Sequence, residues 1–275
     1  MNEQQIEHWS GLTGTRWAEY QARMDEPLRA LGDAAVLACS PQPGEHVLDV
    51  GCGCGDTTLE LARLVGTAGR VTGVDVSPPM LAVARARTQA LSQVTLVEAD
   101  ASRAALPQVD TVYSRFGVMF FDDPVAAFSH IHAALRPEGR LAFVCWRSPP
   151  ENEWVKVPLE GISPHLVPGP APDPHAPGPF AFSSRARVEQ ILGTAGYSDV
   201  RIEPLELLVA WTRSPDLEVG VELLARMGPA SRKLNDVSDE VRARAVDGMR
   251  EALRPYQSAH GLSLGCACWV VSAHA

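Results

Sequence analysis

Lysine is almost missing from this chain. Of 24 basic residues among 275, 22 are Arg and two are Lys, at positions 156 and 233. They are scattered, and the formal net charge is −9. A protein that tracks a phosphate backbone needs a concentrated basic face, so no nucleic-acid partner is expected. Long apolar runs are missing as well. None approaches the roughly 18 residues of a membrane span, so no membrane partner is expected either. Met1 to Ser10 is polar and acidic, with no basic start followed by an apolar stretch, so no signal peptide is visible.

Cysteine is sparse. The six, at 39, 52, 54, 145, 266 and 268, suggest no secreted disulfide framework. Two pairs have C-x-C spacing, whereas structural zinc sites use C-x2-4-C with further ligands at set offsets. Reduced thiols in a cytoplasmic protein and no bound metal are the expectation. What is present is an ordinary globular composition, 45% hydrophobic and 21% charged, with enough chain to bury a full core.

Residues 1–43 read as helical, a cap in which Trp9, Trp17 and Tyr20 precede Leu28, Leu31, Ala35 and Val36 at helical spacing. Over 44–148 short apolar strands alternate with helices. Strands are expected at 46–50, 71–76, 94–99, 111–114 and 141–146. Helices are expected at 57–65, 79–90 and 125–135. Apolar strands in such alternation imply an α/β fold with a parallel sheet covered on both faces. From 149 to 180 there are ten prolines in 32 residues, which excludes a regular helix or central strand and reads as a lid. Residues 181–275 resume the pattern, with helices at 184–195, 215–227 and 238–253 and strands at 200–211 and 262–273.

The chemistry sits in Val47-Leu48-Asp49-Val50-Gly51-Cys52-Gly53-Cys54-Gly55-Asp56. A buried strand ends in an acid, then a loop with glycine at every second position, then a helix. Glycines let the loop turn tightly and let a ligand touch bare backbone. The helix start offers unpaired N–H groups. The third glycine falls at 55, and Asp56 stands where a dinucleotide fingerprint has its last glycine, so a pyrophosphate fits poorly. The second strand ends at Asp75, 20 residues after Gly55, where a carboxylate can accept both ribose hydroxyls. The third leads to Asp100, an acceptor for an exocyclic amine.

This ordered set resembles the class I S-adenosylmethionine-dependent methyltransferases, nearest the ubiquinone/menaquinone-biosynthesis type that acts on small molecules. Leu135-Arg136-Pro137-Glu138-Gly139-Arg140-Leu141 and Ala195-Gly196-Tyr197 support it. The resemblance implies a Rossmann-like, seven-stranded, mostly parallel sheet with an antiparallel last strand. It implies that Gly51, Gly53 and Gly55 wrap the methionine part of S-adenosylmethionine. Asp49 then holds the loop and meets the amino group, Asp75 takes the ribose, and Asp100 with Ala101 takes the adenine. Cys52, Thr57, Val76, Ser114 and Tyr20 complete the expected cofactor-binding set.

After the fourth strand stands Ser114-Arg115-Phe116-Gly117, not the [DN]-P-P-[YF] loop of amide and nucleobase N-methyltransferases. Ser114 also replaces the metal-binding or catalytic acid of catechol-type enzymes and aminopropyltransferases. Asp122 and Asp123 before Pro124 read as a helix cap. Phe116, Met119, Phe120 and Phe121 form an apolar cluster, part core and part substrate-facing. The expected reaction is methyl transfer to an O, N or C atom of a small, partly apolar metabolite, by a monomer or homodimer. No residue is marked as a base. His8, His165 and His175 are candidates from the cap and lid, and Arg115 could bind an acidic group. The alternatives are a nicotinamide-dependent oxidoreductase and a non-catalytic cofactor-binding partner protein. No G-x-S-x-G elbow supports a hydrolase.

Overall fold

A computed structural model describes residues 2–169 and 173–275. Three helices come first, α1 (Glu3–Ser10), α2 (Leu12–Glu19) and α3 (Gln21–Cys39). Strands and helices then alternate as β1 (His46–Val50), α4 (Asp56–Val65), β2 (Arg70–Asp75), α5 (Pro78–Thr88), β3 (Val94–Glu98), β4 (Val109–Arg115), α6 (Pro124–Ala133) and β5 (Leu135–Trp146). The remainder is α7 (Glu153–Ile162), α8 (Arg185–Thr194), β6 (Ser198–Thr212), α9 (Leu217–Arg226), α10 (Pro229–Asn235), α11 (Asp239–Leu253), the two-residue β7 (Gln257–Ser258) and β8 (Gly261–His274).

The sheet runs β3-β2-β1-β4-β5-β8-β6, with β7 paired to β8. β1 to β5 are mutually parallel, and β8 runs antiparallel between β5 and β6. This is the seven-stranded plan with its antiparallel last strand, plus a short eighth strand. The chain leaves β1 toward β2 on one side and returns at β4 on the other. That reversal opens a crevice beyond the carboxyl ends of β1 and β4, where open α/β sheets bind ligands.

The strands are where their apolar runs place them because both faces are covered. Val47 and Leu48 of β1 and Val112 and Tyr113 of β4 are fully buried. Helix α3 lies in this core through Met24, Leu28, Leu31 and Ala35, and Tyr113 Oη donates to Gly32 O (3.1 Å). Residues 21–39 therefore pack with the strands, while α1 and α2 lie over the sheet edge. Helix starts follow ordinary capping: Ala126 N–H donates to Asp123 (3.0 Å) and Arg187 N–H to Ser184 (3.4 Å).

The proline-rich segment differs from expectation. It contains a regular helix, α7, with Pro158 inside it. The other prolines lie at 149–150 and from 164 onward, so the stretch 151–163 holds only Pro158 and leaves room for the ten residues of α7 to coil. Pro158 leaves one carbonyl without its helical donor. Tertiary packing offsets this: Trp154, Val155, Val157 and Ile162 are buried. α7 also crosses α11 at Gly161 and Gly248, so closely that a Cβ on Gly161 would stand 2.7 Å from Gly248 O. Helix α10 was also not foreseen.

Candidate functional site

The loop after β1 takes its shape from glycines at positive φ, +70° at Gly51, +54° at Gly53 and +81° at Gly55. At Gly51 two demands coincide. The left-handed backbone disfavours any side chain, and a Cβ there would lie 2.8 Å from Gly117 Cα, just after β4. The two strand ends can therefore approach only as bare backbone. Gly51 N–H donates to Val74 O (2.8 Å), which fixes the loop across β2.

Three acids flank this loop, each held differently. Asp49 is fully buried, and its Oδ2 accepts from Thr57 Oγ1 (2.8 Å) and Thr58 Oγ1 (2.7 Å) at the start of α4. Its Oδ1 is buried with no hydrogen-bond partner, and burial outweighs the two hydroxyls to push the carboxyl up to about 6. Asp75 accepts from Gly53 N–H at Oδ2 (2.8 Å) and from Ser77 N–H at Oδ1 (2.9 Å). Each oxygen keeps further lone pairs for a ligand. Asp100 Oδ1 accepts from Ser102 N–H and Oγ and from Asn2 Nδ2 (3.4 Å). Its Oδ2 is buried without a hydrogen bond, with Arg103 Nε at 3.4 Å.

A cavity of about 810 Å³ lies over this edge. That is room for a cofactor and part of a second molecule. Gly51, Cys52, Gly53, Thr57, Asp75, Val76, Asp100 and Ala101 all line it. Asp49 and Gly55 stand behind the wall, one supporting the helix start and the other packed on Ala84 of α5. Ser114 is also behind it, its Oγ donating to Val50 O (2.7 Å) and accepting from Gly117 N–H (3.2 Å). Tyr20 is outside, its hydroxyl donating to Glu222 (3.0 Å). Burial raises the Cys52 and Cys54 thiols, the latter to about 12, so neither lining cysteine is a nucleophile near neutral pH.

The candidate substrate groups separate in the same way. His8 faces the cavity, with Nε2 buried and unpartnered. Burial first, and Arg232 second, lower its pKa, so the ring is neutral near pH 7. His165 packs instead on Gly248 of α11. His175 is exposed, and its side chain is not on the wall. Arg115 lines the cavity, but its guanidinium is taken by Asp56 (3.1 Å) and Asp25 (3.9 Å), so it offers no free cation. Asp56 also pairs with Arg29 (2.8 Å) and Arg87 (3.3 Å), which ties α3, α4, α5 and β4 together.

Phe116, Met119, Phe120 and Phe121 all reach the cavity. Phe116 has a positive φ of 57°, and its ring stacks on Trp146 at 4.2 Å. A large side chain in that conformation is strained, and such strain clusters at ligand sites. Trp146, Trp154 and Trp211 continue the aromatic wall with centroid separations of 4.6 and 5.1 Å. The sequence places Trp154 in the proline-rich segment expected to cover the substrate side, but assigns no role to Trp146, to Trp211 or to Arg232 of α10. The buried strand tryptophans Trp146 and Trp211 look alike whether they face core or ligand, and a seven-residue helix shows no period. Among the described residues, no three His, Cys, Asp or Glu side chains converge as metal donors, and no helix is long and apolar enough to cross a membrane.

The family model "Methyltransferase domain" matches residues 47–139. The chain is 32% identical over 226 residues to nocamycin O-methyltransferase of Saccharothrix syringae, covering 74% of this chain and 81% of that protein. The chain belongs to the S-adenosylmethionine-dependent methyltransferases. It is 37% identical over 102 residues to demethylmenaquinone methyltransferase of Staphylococcus epidermidis, covering 36% of this chain and 42% of that protein. A phosphoethanolamine N-methyltransferase of Haemonchus contortus, solved with S-adenosylhomocysteine, shares the fold at TM-score 0.53 and 21% identity, covering 88% of this chain and 52% of that one. As a methyltransferase the chain takes S-adenosylmethionine as its cofactor. Its lining acids suit that cationic, amine-bearing molecule: Asp75 beside the glycine loop and Asp100 at the far end.

Proposed function

We propose that the cofactor lies along Gly51 to Gly53, with Asp75 and Val76 at the ribose and Asp100 and Ala101 at the adenine. Thr57 and Asp49 set the helix start, and the acceptor enters between Trp9, Phe120, Phe116 and Trp146. The acceptor is a small, largely apolar molecule, and oxygen is the favoured acceptor atom. The likeness to nocamycin O-methyltransferase across most of both chains supports that atom. Transfer is proposed to need no metal, and a polyanion such as DNA would meet the Asp75 and Asp100 carboxylates.

When bound, the sulfonium supplies an electrophilic methyl group. This chain's part is alignment and dryness. The Trp9–Phe120 edge contact at 5.1 Å and the Phe116–Trp146 stack form apolar walls on two sides of the acceptor space. Ser77 Oγ donates to Trp9 O (2.7 Å) and Ser10 Oγ to Val76 O (3.1 Å), so α1 is fastened to the loop after β2. Cofactor and acceptor walls are thereby fixed relative to each other.

The observation that carries the assignment is Asp100 Oδ2, buried, free of hydrogen bonds and placed at one end of a cavity whose other polar wall is the glycine loop. Calorimetric titration with S-adenosylhomocysteine tests it. Asp100→Ala is expected to weaken binding at least tenfold while Arg103→Ala leaves it within threefold. Unchanged affinity in Asp100→Ala would show the adenine to lie elsewhere.

A further inference from the structure

The cations facing the cavity are mostly spoken for. Arg115 is held by Asp56 and Asp25, Arg16 donates to Asn235 Oδ1 (3.3 Å), and Arg226 lies 3.6 Å from Glu222. Two adjacent residues of α10 differ. Arg232 and Lys233 both line the cavity, and among the described residues neither makes a hydrogen bond or an ion pair.

Arg232 combines two properties that rarely occur together. It keeps much accessible surface, yet enough protein surrounds it that burial lowers its pKa. Part of that surface lines the cavity. With five donors and no hydrogen-bond or ion-pair partner among the described residues, this guanidinium is open to pairing with a ligand in the cavity. Its titratable neighbour in the wall is His8, a neutral ring with an unpartnered Nε2. Arg16 of α2 reaches Asn235 at the end of α10, which links that helix to the N-terminal helices.

We propose that Arg232 is the substrate-recognition residue for an acidic oxygen group, a carboxylic acid, phenol or enol, carried on an apolar aromatic or alicyclic frame. The frame lies against Trp9, Phe120, Trp146 and Trp154, and the acidic group points to α10. An ionised group pairs with the Arg232 guanidinium, bidentate where two oxygens are offered. The two charge signs of the cavity are thus divided. Asp75 and Asp100 face the cofactor, and Arg232 faces the acceptor. This inference rests on the placement of the acceptor given above.

The test uses probes of like size, one anionic and one neutral at neutral pH, 2-naphthoate against 2-naphthamide and naphthalene-2-acetate against naphthalene-2-acetamide. Each is titrated calorimetrically into the full chain with and without S-adenosylhomocysteine. The parent should prefer each anion over its neutral partner by at least tenfold. Arg232→Gln should abolish that preference while holding the neutral probes and S-adenosylhomocysteine within twofold. Arg232→Lys should keep part of it, and Lys233→Gln should change it less than threefold. Failure of the parent to prefer the anions, no binding of them at all, unchanged preference in Arg232→Gln, or a larger loss in Lys233→Gln would each overturn the proposal. Loss of S-adenosylhomocysteine binding in the parent would strike the cofactor assignment instead, so the two failures are distinguishable.

Discussion

The two sides of the cavity are built in opposite ways. The cofactor side comes from one stretch, between Val50 and Ala101, in which strand ends and a glycine loop present backbone N–H groups and carboxylates. The acceptor side is assembled from α1 and α2, the aromatic run after β4, residues 173–181 and α10, pieces that lie as far apart in the chain as Gln5 and Asn235. On the first side function demands special backbone angles and fixed charges, so only a few residue types serve. On the second it demands shape and apolar cover, which many sequences supply. The first side should therefore break under single substitutions, and the second should yield only when specific contacts are removed.

The largest effect is expected at Gly51. Alanine there would have to hold φ near +70° and place its Cβ 2.8 Å from Gly117 Cα. The left-handed conformation alone costs roughly 1–2 kcal/mol, and the contact is with backbone, which cannot swing away. Gly51→Ala should reduce S-adenosylhomocysteine affinity by about a hundredfold or more and lower the melting temperature. A variant that binds within fivefold would show the loop to be adaptable, and the contrast between the two sides would lose its basis.

Next comes Asp75→Ala, expected to weaken binding by about 1.5–3 kcal/mol, the scale of hydrogen bonds to a charged group. Some of that loss belongs to the loop, because Asp75 also receives Gly53 N–H and Ser77 N–H. Asp75→Asn, which retains one acceptor oxygen, should lie between the parent and alanine in the same titration.

Asp49 gives an effect of opposite sign on stability. Its carboxyl is pushed up to about 6 from 3.8 by burial. Between these values the folded chain holds more protons at this group than the unfolded chain. Stability is thus greatest below about pH 3.8 for this group, and falls as pH rises through 6. Asp49→Asn removes that penalty while its amide oxygen can still accept from Thr57 and Thr58. Above pH 6 the variant should be more stable than the parent by about 1–3 kcal/mol in denaturant unfolding, with the gap closing toward pH 4. Its cofactor affinity should fall, a cost in stability retained for binding. A gap that is the same at pH 4.5 and 7.5 would show that the ionised carboxylate is not penalised.

What was legible follows the same division. β1 to β4 and the helices between them fall within a few residues of their apolar runs, and the acids at 49, 75 and 100 stand at or just past strand ends as expected. The sheet order past β5 was not in the residues themselves but in the resemblance. α7 was hidden because proline was counted over 32 residues, whereas what matters is where prolines sit: Glu153 to Ile162 contains one. For Arg115 the sequence leaves open an acidic ligand or a salt bridge across the sheet edge; the bridge is what forms, with Asp25 and Asp56 of α3 and α4, which no local pattern connects to β4. The acceptor side is also where a loop replacement should act selectively. Exchanging residues 174–179 for glycine and serine removes the Pro174, Ala176, Pro177 and Pro179 side chains from the wall beside Phe180. The acceptor KM should rise about tenfold, the scale of losing one buried contact. S-adenosylhomocysteine affinity should stay within twofold, and a parallel loss of both would mean the segment braces the cofactor as well.

The smallest effect is expected at Tyr20, and it tests the boundary between the two sides. Its position in the N-terminal helices makes it a natural cofactor neighbour. Yet its ring is outside the cavity wall, its hydroxyl donates to Glu222 of α9 at 3.0 Å, and Arg23 lies 5.4 Å over the ring. The link therefore joins the N-terminal helices to α9 on an exposed face, where a hydrogen bond to a charged group contributes on the order of 1 kcal/mol or less. Tyr20→Phe removes only the hydroxyl and keeps the ring's packing. Cofactor affinity should stay within twofold, and melting should shift by no more than a few degrees. Were Tyr20→Phe to lower affinity tenfold with the melting temperature unchanged, the hydroxyl would have to leave Glu222 and turn inward when the cofactor binds. The N-terminal helices would then belong to the cofactor side as well as the acceptor side, and the division of the cavity would have to be redrawn along α2.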